Sequence, residues 1–61
     1  MYTIYLDYNY NSPYAAFLNK EDLISYLKST NIAKYRIGIF RSWEEGAINR
    51  REKIFVMDLI K

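Results

Sequence analysis

The stretch Lys53-Ile-Phe-Val-Met-Asp-Leu-Ile60 decides how the rest of the chain is read. As an extended strand it places Phe55, Met57 and Leu59 on one face and Ile54, Val56 and Ile60 on the other, so it is apolar on both sides. A strand buried on both faces belongs in the middle of a sheet, since at an edge it would leave an unpaired backbone ladder beside oily side chains. The expectation is a central strand.

Two further strands and one helix can be placed around it. Tyr2 to Tyr10 alternates, with Tyr2, Ile4, Leu6, Tyr8 and Tyr10 on one face and Thr3, Tyr5, Asp7 and Asn9 on the other. Asn9, Asn11, Ser12 and Pro13 make a turn-rich exit. Tyr35 to Trp43 alternates in the same way, with Tyr35, Ile37, Ile39 and Trp43 opposite Arg36, Gly38, Phe40 and Ser42. Between them, Asn19 followed three residues later by Asp22 has the spacing of a capping box, and Leu18 with Leu23 that of a hydrophobic staple. Leu23, Ile24 and Leu27 then form an apolar stripe, which predicts an amphipathic helix over residues 20–30.

Two segments admit more than one reading. Residues 13–18 are a turn that folds back over the sheet, or a short helical turn opened by Ser12-Pro13. Residues 44–52 read best as a hairpin loop around Gly46 and Asn49, with a short helix capped by Ser42 and Glu45 as the competing reading. The result is an α+β fold, a single small β-α-β-β domain spanning 1–61. Its three-stranded sheet has the order 1-3-2, with one helix packed on one face. The order 1-2-3 would put Ile54 to Met57 on an exposed edge.

Composition narrows the chemistry. The chain has no Cys and no His, which excludes disulfides, thiolate chemistry, Cys/His zinc sites and imidazole catalysis. Asp7 and Asp58 could face each other across adjacent strands, but no third ligand, phosphate cradle or activated nucleophile accompanies them. Pairing of Asp7 with Arg36, or solvation at the rim, is the simpler reading. No cofactor, metal or catalytic residue is expected, and the chain is read as a non-enzyme. A formal charge of +2 is too small to announce nucleic-acid binding.

What remains is surface. At 61 residues, 51% apolar, a single helix can roof only one face of the sheet, so the other needs cover. Self-association is the economical cover for so small a domain, and Ile54, Val56 and Ile60 are the expected homodimer interface. Tyr5, Tyr10, Tyr14, Phe40, Trp43, Arg50 and Arg51 are the candidate partner-binding residues, being aromatic or arginine side chains on the outer face or in loops.

The functional expectation is a small protein-binding module that dimerises and blocks a host protein. The alternative is a nucleic-acid binder using Arg36, Arg41, Arg50, Arg51 and Lys53 with the sheet aromatics Tyr5 and Phe40. Arg36-Ile-Gly-Ile-Phe40 does not follow the RNP1 pattern of RNA-recognition motifs. Ile, Tyr, Lys, Asn and Phe, all encoded by AT-rich codons, make up 28 of the 61 residues. A short, cysteine-free frame of that bias suits a phage, archaeal virus or plasmid. Met1 to Asp7 carries no basic leader and the apolar run Ile54 to Met57 is far short of a membrane span. The expected location is therefore cytoplasmic, in the host cell if the source is viral.

Overall fold

The structure is a computed structural model that describes residues 1–60. It is an α+β domain, but its sheet has four strands rather than three. Strands β1 (Tyr2–Leu6), β2 (Ala15–Phe17), β3 (Ile37–Glu45) and β4 (Ile48–Ile54) lie in the order β2-β1-β3-β4, and every neighbouring pair is antiparallel. Helix α1 (Lys20–Ser29) packs on one face, a 3-10 turn (Lys34–Arg36) leads into β3, and one helical turn, α2 (Val56–Leu59), follows β4. The expected three-stranded 1-3-2 sheet is therefore incorrect.

The first cause is a reversal that comes too early to read from alternation. β1 stops at Leu6, where Asp7 and Tyr8 both take positive φ (55° and 62°) and the Asn9 amide donates to the Leu6 carbonyl at 3.0 Å. Positive φ at both central positions is the pattern of a type I′ turn. The chain returns, the Tyr14 amide donates to the Ile4 carbonyl at 2.8 Å, and Ala15–Phe17 adds as a short edge strand instead of a helical turn or a covering loop. This one extra reversal between β1 and α1 inverts the direction in which β3 enters the sheet. The expected parallel crossover becomes an antiparallel pair, with Ile4 opposite Ile39.

The second cause is a period. After Ile54 the apolar run is not extended: Phe55 precedes a helical turn, and the Ile60 amide donates to the Val56 carbonyl at 3.0 Å. Val56, Leu59 and Ile60 are spaced i, i+3, i+4 and all three pack against the core, while Phe55 and Met57 point to solvent. A short apolar run is compatible with either period, and burial selected the helical one. Val56 thus belongs to the core and Ile54 and Ile60 pack against it, so none of the three lines the outer face of a central strand.

The strand beside β3 is instead Ile48–Ile54, which is polar over most of its length. It pairs with β3 from Glu45 opposite Ile48 to Ile39 opposite Ile54, closed by a two-residue turn at Gly46-Ala47. Gly46 has φ +65° at the first central position, as a type II′ hairpin turn requires. The expected loop over 44–52 is therefore mostly strand.

The core is Ile4, Leu23, Leu27, Ile37, Ile39 and Val56. It joins the inner faces of β1 and β3 to the stripe of α1 and to α2, with Tyr2, Leu6, Ala15, Phe17 and Tyr26 at its border. Helix α1 starts at the expected cap, with Asn19 extended at φ −108°. The Asn19 side chain, however, donates from Nδ2 to Asp22 Oδ2 (3.1 Å) rather than accepting from the helix backbone, and Leu18 stays exposed, so the staple does not close.

Candidate functional site

The expected partner-binding residues do not form one site. Strand register places Tyr5, opposite Gly38, and Phe40, opposite Thr3, on the face away from α1. The loop after Tyr8 carries Tyr10 onto the same face, and the three rings meet edge to face with centroids 5.4 to 5.9 Å apart. Gly38 makes room for this, since a Cβ there would lie 3.3 Å from the Tyr10 ring. The Arg51 guanidinium sits 5.2 Å over Phe40. The chain thus covers part of its own outer face with Tyr10, and aromatic edge-to-face contacts give this cover specific geometry.

The other candidates lie apart. Trp43 and Arg50 are opposite one another on the far half of the β3–β4 hairpin, beyond the helix, and Arg41 stacks 4.8 Å over the Trp43 ring. Glu45 accepts from Trp43 Nε1 at 3.4 Å and pairs with Arg50 at 3.7 Å, while Glu52 pairs with Arg41 at 3.4 Å. Tyr14 stands just before β2, where hydrogen bonding with the Tyr26 phenol pushes its hydroxyl above the ordinary tyrosine value.

A concavity lies elsewhere, at the end of the sheet where β1 ends, β3 begins and β4 runs into α2. It is a groove of about 440 Å³, within the size range of ligand sites. Its walls include Tyr35 (82% exposed), Tyr8 (76%), Met57 (65%) and Phe55 (63%). With Tyr10, five of the nine exposed large apolar residues converge here, so they form a patch and not a scatter. Alternation grouped Tyr8 with Ile4 and Leu6, and Tyr35 with Ile37 and Ile39; the turn and the 3-10 segment put both tyrosines into solvent instead. The signal that could have found them is the pairing of each with a charged neighbour, Asp7-Tyr8 and Tyr35-Arg36.

That neighbour pair holds the two walls together. Arg36 donates from Nε to Asp7 Oδ1 at 2.8 Å and from Nη2 to Asp7 Oδ2 at 2.7 Å, and the Asp7 amide donates to the Arg36 carbonyl at 2.8 Å. This bidentate fork fixes orientation as well as distance. Hydrogen bonding from Arg36 holds the Asp7 carboxyl below its ordinary value, and the same contact raises Arg36. Asp7 is accordingly engaged by Arg36, as the simpler reading of the sequence had it, and Asp58 sits in α2 rather than across a sheet from it.

The charged side chains that line the groove, Lys34, Arg36 and Lys53, are all cations. Arg36 is neutralised by Asp7, whereas neither Lys34 nor Lys53 has an ion-pair partner among the described residues. Lys53 Nζ lies 5.9 Å from the Phe55 ring centre. Among the described residues, no cluster of three metal-ligating side chains occurs, and no helix is long and apolar enough to cross a membrane. No protein-family model, curated protein or solved structure matches the chain.

Proposed function

We propose that this chain is a small non-enzymatic protein-binding module that docks its partner in the groove walled by Tyr8, Tyr35, Phe55 and Met57. The observation that carries the reading is the convergence of five of the nine exposed large apolar side chains on one concavity. Backbone strain supports it. The turn after β1 holds Tyr8 in a left-handed conformation that costs a bulky residue about 1–2 kcal/mol, and its ring lines the groove.

The finer reading is an accessory protein of a phage, virus or plasmid that occupies a surface of a host protein and so inhibits it. It is supported by the AT-rich residue usage of a short chain without Cys. Nucleic acid is a weaker target. Of the hairpin cations, Arg41 and Arg50 are already paired with Glu52 and Glu45, which leaves Arg51 and Lys53. With Lys34 at the groove, three phosphate contacts on a single strand give a salt slope of about −2.1, short of the six to ten contacts that carry a steep salt dependence.

A photo-crosslinking amino acid at Tyr35 tests the reading. A protein adduct should form from position 35 and not from position 14, and Met57→Asp should abolish it. Equal labelling at both positions, or adducts to nucleic acid alone, would overturn it. Inhibition is checked by adding the chain to the captured protein: activity should fall with the native sequence and not with Met57→Asp.

A further inference from the structure

Lys53 and Ile54, the last two residues of the edge strand β4, form part of the groove wall. That strand pairs only with β3, is seven residues long, and ends at Ile54 directly in the groove wall. An antiparallel edge strand turns the N–H and C=O of every second residue outward without a partner. We propose that an extended, acidic segment of the partner protein adds to β4 as a fifth strand and seats one apolar side chain in the groove between Tyr35 and Met57. This rests on the groove being the docking site and specifies the chemistry of what it takes.

Charge selects the acidic segment. Register places Arg51, opposite Ser42, and Lys53, opposite Phe40, on the same outer face two residues apart. Neither has an ion-pair partner among the described residues, and Lys34 adds a third such cation at the groove. Carboxylates at alternate positions of an incoming strand would meet this row, since side chains directly opposite across a ladder interact. The strand's remaining charges, Arg50 and Glu52, are already matched by Glu45 and Arg41 of β3. A charged edge discourages indiscriminate pairing, and the same charges favour a partner of opposite sign.

A second copy of this chain fits the edge poorly. In antiparallel self-pairing of β4 centred on Arg51, Arg50 meets Glu52 but Arg51 meets itself and Lys53 meets Asn49; centred on Glu52, Lys53 meets Arg51; centred between them, Arg51 meets Glu52 but Lys53 meets Arg50. In none of these three registers does Lys53 face a carboxylate, which an acidic strand would supply. A nucleic acid could meet the cations, the outward N–H groups and, by stacking, the aromatic walls, but its phosphates would face the outward carbonyl oxygens of β4. An extended peptide uses all of these features, as in strand-addition complexes where the backbone gives affinity and pockets give specificity.

Selection of randomised displayed peptides on the intact immobilised chain tests the proposal. The enriched peptides should carry spaced Asp or Glu residues and one large apolar residue. Lys53→Glu and Lys34→Glu should each weaken a selected peptide by about tenfold, with unchanged circular dichroism. Methylating alternate amides of that peptide should abolish binding, and its amide chemical-shift changes should map to Ile48–Ile54 and Met57. No enrichment, enrichment of neutral or basic sequences, indifference to both charge reversals, or competition by oligothymidine would overturn it. A protein crosslink at Tyr35 without acidic peptides would sink the strand addition alone, whereas loss of both would sink the docking site as well.

Discussion

The β3–β4 hairpin has two halves that look alike as backbone and differ in what holds them. Near the groove, Ile37 and Ile39 are buried against α1 and α2, and Ile54 packs at their border. Beyond Arg41 the ladder continues with the same register to Gly46-Ala47, but both faces are polar or half-exposed. The inner half is held by burial, which is worth several kcal/mol per large side chain when cavity terms are included. The outer half is held by cross-strand pairs such as Arg41–Glu52, Arg50–Glu45 and Arg41 over Trp43, each worth a few tenths to about 1 kcal/mol. The comparison teaches that strand length in this protein is set by a tight turn and pairing, while stability is concentrated at the end that also carries the groove.

The strongest way to break the comparison is at the inner end. Val56→Asp would bury a carboxylate among Val56's core neighbours and Leu27→Ala would remove a fully buried side chain at a cost of about 2–5 kcal/mol, comparable with the whole stability of so small a domain. Both should abolish the cooperative urea transition. A folded Val56→Asp protein would show that the last turn does not belong to the core.

Gly46→Val should cost about 1–2 kcal/mol in urea denaturation, because a β-branched residue resists φ +65°, although no atom lies near enough to clash. Tyr8→Gly has the opposite sign. Relieving left-handed strain should raise stability by about 0.5–1 kcal/mol, after allowing for glycine's greater unfolded freedom, while weakening partner capture. Unchanged capture would separate the strained turn from the groove's function. In the outer half, a double-mutant cycle on Arg41 and Glu52 should give no more than about 0.5 kcal/mol, since both side chains are roughly half exposed.

The smallest effect is a pH response of the groove walls. Asp7 has a depressed carboxyl value when folded, so its contribution is fully present above the ordinary Asp value of about 3.9 and is lost as the pH falls through the lower folded value. Tyr8 and Tyr35 should gain mobility by NMR over that acid window, and Asp7→Asn should show the same mobility at neutral pH with no further change on acidification.

Much of the helix and none of the sheet order was legible beforehand. The Asn19 cap, the Leu23 and Leu27 stripe and the alternation through Ile37 and Ile39 are local patterns, and each corresponds to an element of the fold. The sheet order turned on residues 7–8 and 54–60. Asp-Tyr carries no glycine to advertise a two-residue reversal, and Ile54 to Ile60 satisfies both periods over a length too short to choose between them. Tyr5, Tyr10 and Phe40 were recognisable as outward or loop aromatics, but their meeting depends on the Tyr10 loop returning over Gly38. The groove was not legible, because its walls come from the β1 exit, the 3-10 turn and the β4 exit, which are distant in sequence.

By itself, the order of amino acids determined the chemistry this chain lacks, the helix, and the presence of amphipathic strands, because these follow from residue type and from spacing within one element. Only the tertiary structure decided strand direction, the membership of Val56 in the core and the surface left for a partner. These depend on which competing local arrangement buries the most apolar side chain once all the elements are assembled, and that comparison is made by the whole chain at once.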